Sequence, residues 1–159
     1  KAVVVQLFYR QLGLVAAPGN PMKLRALADL ARRKVRMINR QAGSGTRLYL
    51  DQALARLKIS PRKLNGYAIE VATHVEVGLP VLRGEVDTGL ATMTTARMLG
   101  LDFIPLARER FDAVIPQARF FSPGVQALLS VVGSREFRDR LEAMGGYDSS
   151  ESGRIIQTN

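Results

Sequence analysis

The sequence predicts an α/β fold with a mainly parallel sheet, and two observations lead to this prediction. Short runs rich in Val, Leu, Ile and Phe alternate with segments whose apolar residues recur every three or four positions, which is the pattern of strands and helices in a parallel sheet. A loop rich in Gly and Ser, residues 43–46, joins one such strand to the next helix. With 159 residues, the chain is long enough for one domain with a sizeable apolar core.

In the first part of the chain, turns and prolines separate the predicted elements clearly. The turn at residues 18–21, Pro-Gly-Asn-Pro, separates two strands from an amphipathic helix, and Pro61 stops the helix that begins after the Gly-Ser loop. The predicted elements here are strands at 2–8 and 13–17, a helix at 22–33, a strand at 35–38 and a helix ending near Lys58.

The second part continues the alternation. Thr73 is the predicted N-cap of a helix that contains Pro80, and Gly100 is predicted to close another helix. The predicted elements are strands at 67–71, 86–91, 101–106 and 111–115, and helices at 73–84, 94–99, 123–132 and 134–144. The polar segment after the last helix is expected to be flexible.

Composition excludes several classes of protein. The absence of cysteine excludes disulfide scaffolds, thiolate zinc sites and cysteine nucleophiles, and a single histidine, His74, excludes a His-rich metal site. No apolar run approaches the roughly 20 residues that a transmembrane helix needs. Polar residues and prolines interrupt residues 1–25, where a signal peptide would have an apolar stretch, so the expected location is the cytoplasm.

The positive charge is concentrated in the first part of the chain. Residues 1–63 contain 14 Lys and Arg against 2 acidic residues, a net +12, whereas residues 64–159 contain 9 Arg against 12 acidic residues, a net −3. Such a segment attracts nucleic acid, phosphates or a small oxyanion. Because aromatic residues do not interleave the basic ones, a solvated surface is favoured over a nucleic-acid interface.

The Gly-Ser loop is the most informative motif. Free amides at a helix start favour an anion, Ser44 and Thr46 add hydroxyl groups, and Gly43 and Gly45 let the backbone approach a ligand closely. The loop has neither a Walker ending nor a dinucleotide fingerprint. From the residues alone, an anion site and a simple capped helix both remain open.

No catalytic constellation is predicted. His74 is interpreted as a helix-start imidazole, and Asp87 as a residue that caps or orients neighbouring amides. Glu109 and Asp112 are interpreted as solvated charges, which do not support a hydrolase with paired carboxylates.

A set of motifs in a fixed order resembles a known family. They are QLGLVAAPGN at 11–20, NRQAGSGTR at 39–47, Gly66-Tyr67, Thr73-His74, GEVDTG at 84–89, LDFIPL at 101–106 and GGYD at 145–148. Together they resemble the periplasmic-binding-protein-like (type II) domain related to molybdate- and tungstate-binding proteins. That family occurs fused to helix-turn-helix regulators or to molybdopterin-biosynthesis enzymes.

The resemblance implies two α/β lobes joined by hinge strands, with a small anion between them. Residues 18–103 would form the second lobe, residues 1–17 and 104–148 the returning part of an incomplete first lobe, and residues 149–159 a flexible tail. By the same resemblance, the N-terminal part of the family domain, with its own anion loop, is expected to be missing from this sequence.

The resemblance also assigns roles to individual residues. Ser44, Gly45, Thr46 and Arg47 match the anion loop of the second lobe, and His74 matches the histidine at the cleft rim. Arg10 and Arg40 are weaker ligand-binding candidates, near the hinge and a strand end, and Asp87 is assigned to structure.

The function expected from this resemblance is non-enzymatic binding of a small oxyanion, molybdate or tungstate, by a sensor or capture module without a resident cofactor or metal. The expected partners are the anionic ligand and a second copy of the chain; DNA would be contacted only through a helix-turn-helix module outside this sequence. Two alternatives are a regulator's effector domain for an organic anion and an accessory domain of a molybdenum-cofactor biosynthesis enzyme. Direct binding of nucleic acid by the basic segment ranks last.

Overall fold

The computed structural model describes residues 1–158, which form two compact units. The larger unit is Leu12–Ala107, and the smaller unit combines Lys1–Gln11 with the chain from Arg108 onward. Two long strands, β1 (Ala2–Ala16) and β5 (Asp102–Pro116), contribute residues to both units. The larger unit therefore extends beyond the expected lobe, residues 18–103, at both of its ends.

The larger unit is built on a sheet with the strand order β3-β2-β4-β1-β5. Besides β1 and β5, this sheet contains β2 (Met37–Arg40), β3 (Glu70–Val71) and β4 (Thr88–Thr92). Strand β2 is parallel to both β3 and β4, whereas β1 is antiparallel to β4. The predicted α/β class is confirmed, and the parallel strands are β3, β2 and β4, which lie side by side in the sheet.

Each parallel strand of the larger unit leads directly into a helix. The helices are α1 (Gly45–Arg56), α2 (His74–Leu82) and α3 (Met93–Leu99). The predicted N-cap of α2 is confirmed, because the Thr73 hydroxyl accepts a hydrogen bond from the Glu76 amide, and Gly100 ends α3 in the left-handed conformation. Pro80 remains inside α2, which ends two residues before the predicted Gly84.

Alternation along the strands buries the two faces of this sheet in two separate cores. Leu12 and Leu14 of β1 face a core shared with α1, and Val15 faces the core shared with α2 and α3. In β2, Met37 faces the first of these cores and Ile38 faces the second. A period of two is expected for strands that are covered on both faces.

The predicted helix at 22–33 does not form. Only a 3-10 turn, Leu27–Ala31, is present, because short polar side chains capture the local backbone instead. The Asn20 amide group both donates to and accepts from the backbone of Leu24, and the Asp29 carboxylate accepts from the amides of Arg25 and Ala26.

The predicted strand pairs at 2–8 and 13–17, and at 101–106 and 111–115, are single continuous strands. The polar residues between them do not break the strands, because partners are available on the neighbouring strand. Arg10 of β1 forms an ion pair with Glu109 of β5, with Nη2 and Oε2 2.7 Å apart. The predicted strand at 67–71 is shorter than expected, since only Glu70–Val71 forms a strand, β3.

Asp87 orients its neighbours as the sequence suggests. Its carboxylate accepts from the Arg36 amide at 2.7 Å and pairs with the Arg36 guanidinium at 3.0 Å. These bonds hold the turn before β4 against the start of β2.

The smaller unit adds two short strands to β1 and two helices. Strands β6 (Tyr147–Asp148) and β7 (Ile155–Thr158) pair antiparallel with β1, and α4 (Pro123–Val132) and α5 (Arg135–Met144) form as predicted. Val3, Val5 and Ile115 form its core. Part of the expected flexible tail, residues 149–159, is thus strand β7, while residue 159 lies outside the described residues.

Within residues 1–158, none of the helices combines the length and the apolar character needed to cross a membrane.

Candidate functional site

The predicted anion loop lies at the carboxyl end of β2, where the chain turns into α1. Gly43 adopts a φ of 87°, a conformation that favours glycine, and this allows the chain to reverse before the helix. The carboxyl end of β3 and the start of α2 lie beside it, since β2 and β3 are parallel and paired at Arg40 and Val71. In open α/β sheets this edge is where ligands bind.

Ser44 is the N-cap of α1. Its hydroxyl oxygen accepts from the Arg47 amide at 3.2 Å and donates to the carbonyl oxygen of Gln41 at 2.9 Å. Both bonds lie within the loop, so Ser44 shapes the loop from inside.

Gly45 and Thr46 supply the donors that the helix itself leaves unused. Their amides are the first two of α1 and have no acceptor within the helix. Thr46 is only 4% exposed, and its hydroxyl makes no hydrogen bond to any of residues 1–158. These three groups can donate to an oxyanion, favoured by the helix dipole.

Arg47 is held by neighbouring side chains. Its guanidinium pairs with Asp51 at 3.1 Å and with Glu70 at 2.5 Å, and it lies 4.2 Å above the ring of Tyr67. Burial alone lowers the pKa of Arg47, but the hydrogen bonds to Glu70, Tyr67 and Asp51 outweigh it and raise that pKa. The side chain is 12% exposed and remains charged.

Three members of this cluster, Asp51, Tyr67 and Glu70, are missing from the sequence-based site. The Tyr67 hydroxyl donates to Asp51 at 2.5 Å, and burial followed by this bond raises the pKa of Tyr67. Glu70 also accepts from the Ala42 amide, and its bond from Arg47 lowers its pKa. Two signals in the sequence point to this cluster: the spacing of Arg47 and Asp51, four residues apart on a helix, and the Gly66-Tyr67 motif of the family resemblance.

Arg40 connects the two helix starts. Its Nη2 donates to the carbonyl oxygen of Ala72, just before α2, at 2.7 Å, and its Nε donates to the side chain of Gln41 at 3.1 Å. The structure therefore places Arg40 at the same sheet edge as the loop.

His74 is the first residue of α2 and is half-buried. Next to it, the Glu76 carboxylate accepts from the Thr73 hydroxyl and from the amides of Thr73 and Ala72. These bonds, the one from the Thr73 hydroxyl foremost, lower the pKa of Glu76. The turn before α2 thus already holds an anionic group of the chain, unlike the first turn of α1.

Arg10 belongs to the smaller unit, where its guanidinium pairs with Glu109 and lies 4.5 Å above the ring of Phe111. The interpretation of Glu109 as a solvated charge is therefore wrong, since its side chain is only 20% exposed and is paired. Asp112 is likewise 20% exposed and pairs with Arg110 at 3.0 Å.

The described residues contain no metal cluster: among residues 1–158, no three His, Asp or Glu side chains are placed to hold a metal ion. The donors at the start of α1 can bind and orient an anion.

Comparison with known proteins agrees with this architecture. Residues 1–133 match the PBP superfamily domain. The YvgK protein of Bacillus subtilis (strain 168) is 31% identical over 153 residues, which are 96% of this chain and 49% of YvgK. The chain thus spans about half the length of this relative.

Two solved structures show the same fold. The substrate binding domain of a putative molybdenum ABC transporter from Clostridium difficile has a TM-score of 0.61 at 18% identity, over 91% of this chain and 66% of that one. The CcmR regulatory domain of Synechocystis PCC6803, in complex with 2-PG, has a TM-score of 0.64 at 16% identity, over 81% of this chain and 64% of that one. The family resemblance found in the sequence is confirmed, and the chain belongs to the PBP superfamily.

Proposed function

We propose that this PBP domain is a non-enzymatic ligand-binding module for a small oxyanion of the molybdate or tungstate type. The observation that carries the proposal is the first turn of α1, where the amides of Gly45 and Thr46 and the Thr46 hydroxyl are available as donors. A doubly charged oxyanion is well suited to several neutral donors at a helix start. The molybdenum transporter domain among the structural neighbours supports the choice of ligand.

The other predicted residues have supporting roles in this proposal. Ser44 caps α1 and so sets the direction of the donor amides. Arg47 is a positioning residue, because its guanidinium is engaged by Asp51 and Glu70. Arg40, at the end of β2, bonds to the carbonyl oxygen of Ala72, and His74 is the first residue of α2. In this proposal both add to the polar surroundings of the loop.

Calorimetric titration of the chain with sodium molybdate and sodium tungstate tests the proposal, with sulfate as the comparison anion. We expect heat of binding for molybdate or tungstate, and weaker binding in Thr46→Ala by about 1 kcal/mol or more, because a hydrogen bond to a charged group is lost. Thr46→Ser keeps the hydroxyl and should retain most of the affinity.

A matched control is Ser134→Ala, which removes the side-chain cap of α5 in the smaller unit. It should leave the affinity unchanged. Absence of heat with all three anions, or equal affinity of Thr46→Ala and the unaltered chain, would contradict the proposal.

A second candidate is an effector domain that binds an organic anion. The observation favouring it is the similarity to the CcmR regulatory domain in complex with 2-PG. Titration with 2-PG separates the two candidates: binding of 2-PG without binding of molybdate or tungstate identifies the effector role.

A further inference from the structure

A cluster of exposed cations lies at the amino end of β2, away from the candidate anion loop. The basic patch consists of four exposed side chains, Arg33, Lys34, Arg62 and Lys63. Three of them line one surface depression of about 470 Å³, whose other lining residues are Ala31, Leu64 and Asn65.

Two ordered turns carry the patch. In one turn the Lys63 amide donates to the carbonyl oxygen of Ser60 at 3.0 Å, and Asn65 accepts from the Met37 amide at 2.8 Å. In the other turn the Val35 amide donates to the carbonyl oxygen of Arg32 at 2.9 Å. The backbone beneath the cations is therefore fixed relative to β2.

The positive charge of the patch is not compensated by acidic side chains of residues 1–158. The neighbouring Arg32 and Arg36 pair with Asp29 and Asp87. Within residues 1–158 the four cations of the patch form no ion pair, and no carboxylate lines their depression. Like charges gathered without counter-charges create a positive potential that attracts an anionic partner.

An apolar depression of about 450 Å³ adjoins the one that the patch lines, and both depressions are lined by Arg62 and Leu64. Its lining includes Ile69, which is 54% exposed. The ring of Tyr67, also in the lining, already carries the Arg47 guanidinium on one face at 4.2 Å. Stacking of nucleic-acid bases needs open rings, so the surface favours a protein segment over a nucleic acid.

We propose that the basic patch and the adjoining apolar depression form a docking surface for an acidic segment of a partner protein. Carboxylates of the partner face Arg62 and Lys63, and an apolar side chain of the partner packs beside Ile69. The basic patch lies at the amino end of β2 and the anion loop at its carboxyl end, so the cations of the patch are separate from the donors of the loop.

Fluorescence anisotropy with three labelled probes tests the proposal on the full chain. The probes are a synthetic peptide of repeated Glu-Glu-Leu, a peptide of repeated Glu-Glu-Ser and single-stranded oligothymidylate. We expect the Glu-Glu-Leu peptide to bind most tightly and its affinity to fall as salt is added, because exposed charges are screened.

Variants assign the binding to this surface. The double variant Arg62→Glu/Lys63→Glu should weaken binding of the Glu-Glu-Leu peptide about tenfold or more, because attraction is replaced by repulsion. Ile69→Ser should weaken binding of the Glu-Glu-Leu peptide and leave binding of the Glu-Glu-Ser peptide unchanged. The control Arg135→Glu/Arg138→Glu makes the same change of charge on exposed residues of α5 and should leave the affinity within about twofold.

Circular dichroism melts establish that each variant is folded before binding is compared. Tighter binding of oligothymidylate than of both peptides would overturn the proposal in favour of nucleic acid. Equal losses in the control and in Arg62→Glu/Lys63→Glu, equal binding of the two peptides, or no binding of any probe would also overturn it.

Discussion

Arg47 shows how a residue with the chemistry of a ligand-binding group can serve another purpose. Its guanidinium ties α1 to β3 through Glu70 and covers the ring of Tyr67. A cation held in this way orients the loop that precedes it, because the Arg47 amide also bonds to Ser44. The binding donors of the loop are then the backbone amides and Thr46.

Replacement of this cation tests its positioning role. Arg47→Met leaves the carboxylates of Asp51 and Glu70 without their partner, so we expect the free energy of unfolding to fall by about 2 kcal/mol in urea titrations. The control is Arg135→Met, which removes a 93% exposed partner of Asp139 and should change stability by less than about 0.5 kcal/mol. Equal effects of the two variants would show that Arg47 contributes no more than a surface ion pair.

Among the elements, α2 packs closely on β4 because Gly89 of β4 has no side chain at the contact. A Cβ atom at Gly89 would lie 2.5 Å from the Val77 side chain and 2.7 Å from the carbonyl oxygen of Ile38. The first of these contacts is with α2 and the second with β2. Gly89 therefore permits both the close approach of the helix and the pairing of the central strands.

Gly89→Ala should consequently destabilise the larger unit by about 1–3 kcal/mol, the usual cost of overpacking a core. Thermal unfolding followed by circular dichroism measures the effect. Gly124→Ala is the matched control, since a Cβ there meets no atom within 4 Å and Ala favours the helix α4. A melting temperature for Gly89→Ala equal to that of the control would contradict the packing argument.

The start of α2 makes the stability of this element depend on pH. Because the pKa of Glu76 is lower in the folded chain than in the unfolded chain, its stabilising effect is complete above the unfolded value of about 4.3. The effect is lost as the pH falls through the folded pKa. Glu76→Ala should therefore lower the melting temperature at pH 7, and the difference from the unaltered chain should shrink below pH 4.

Glu85→Ala is the control for this pH series, since its 57% exposed carboxylate lies 3.8 Å from Arg83. It should melt like the unaltered chain at both pH values. A difference between Glu76→Ala and the unaltered chain that persists at low pH would mean that the charge of Glu76 is not the cause.

At the scale of the whole molecule, self-association remains a prediction. The smaller unit exposes several large apolar side chains, namely Val114 at 69%, Phe121 at 84%, Leu128 at 50% and Val131 at 57%. Exposed apolar groups in such number favour burial against a second copy. We expect a dimer or larger species, formed mainly through residues 1–17 and 104–144.

Light scattering coupled to size exclusion measures this directly. The unaltered chain should elute above its 17.5 kDa monomer mass at high concentration, and Phe121→Ser/Leu128→Ser should shift it towards the monomer. Met98→Ser, a change at a 61% exposed residue of the larger unit, is the control and should not. A monomer at all concentrations would contradict the prediction.

Features that depend on residues a few positions apart can be predicted from the sequence. The start of α1 at Ser44, the start of α2 at Thr73 and the end of α3 at Gly100 follow from hydrogen bonds and backbone conformations within three or four residues. The alternation of strands and helices follows from periodicity, which is also local. The anion-binding role of the loop stays a prediction, which the family resemblance supports.

Contacts between groups that are far apart in the sequence follow from the packing of the folded chain. Arg47 turns towards Glu70, 23 positions away, and Arg10 towards Glu109, 99 positions away. The same holds for β7, whose pairing with β1 joins the two ends of the described chain. Such pairings depend on the packing of whole elements, because an ion pair or a strand pair forms only where the fold brings the two groups within bonding distance.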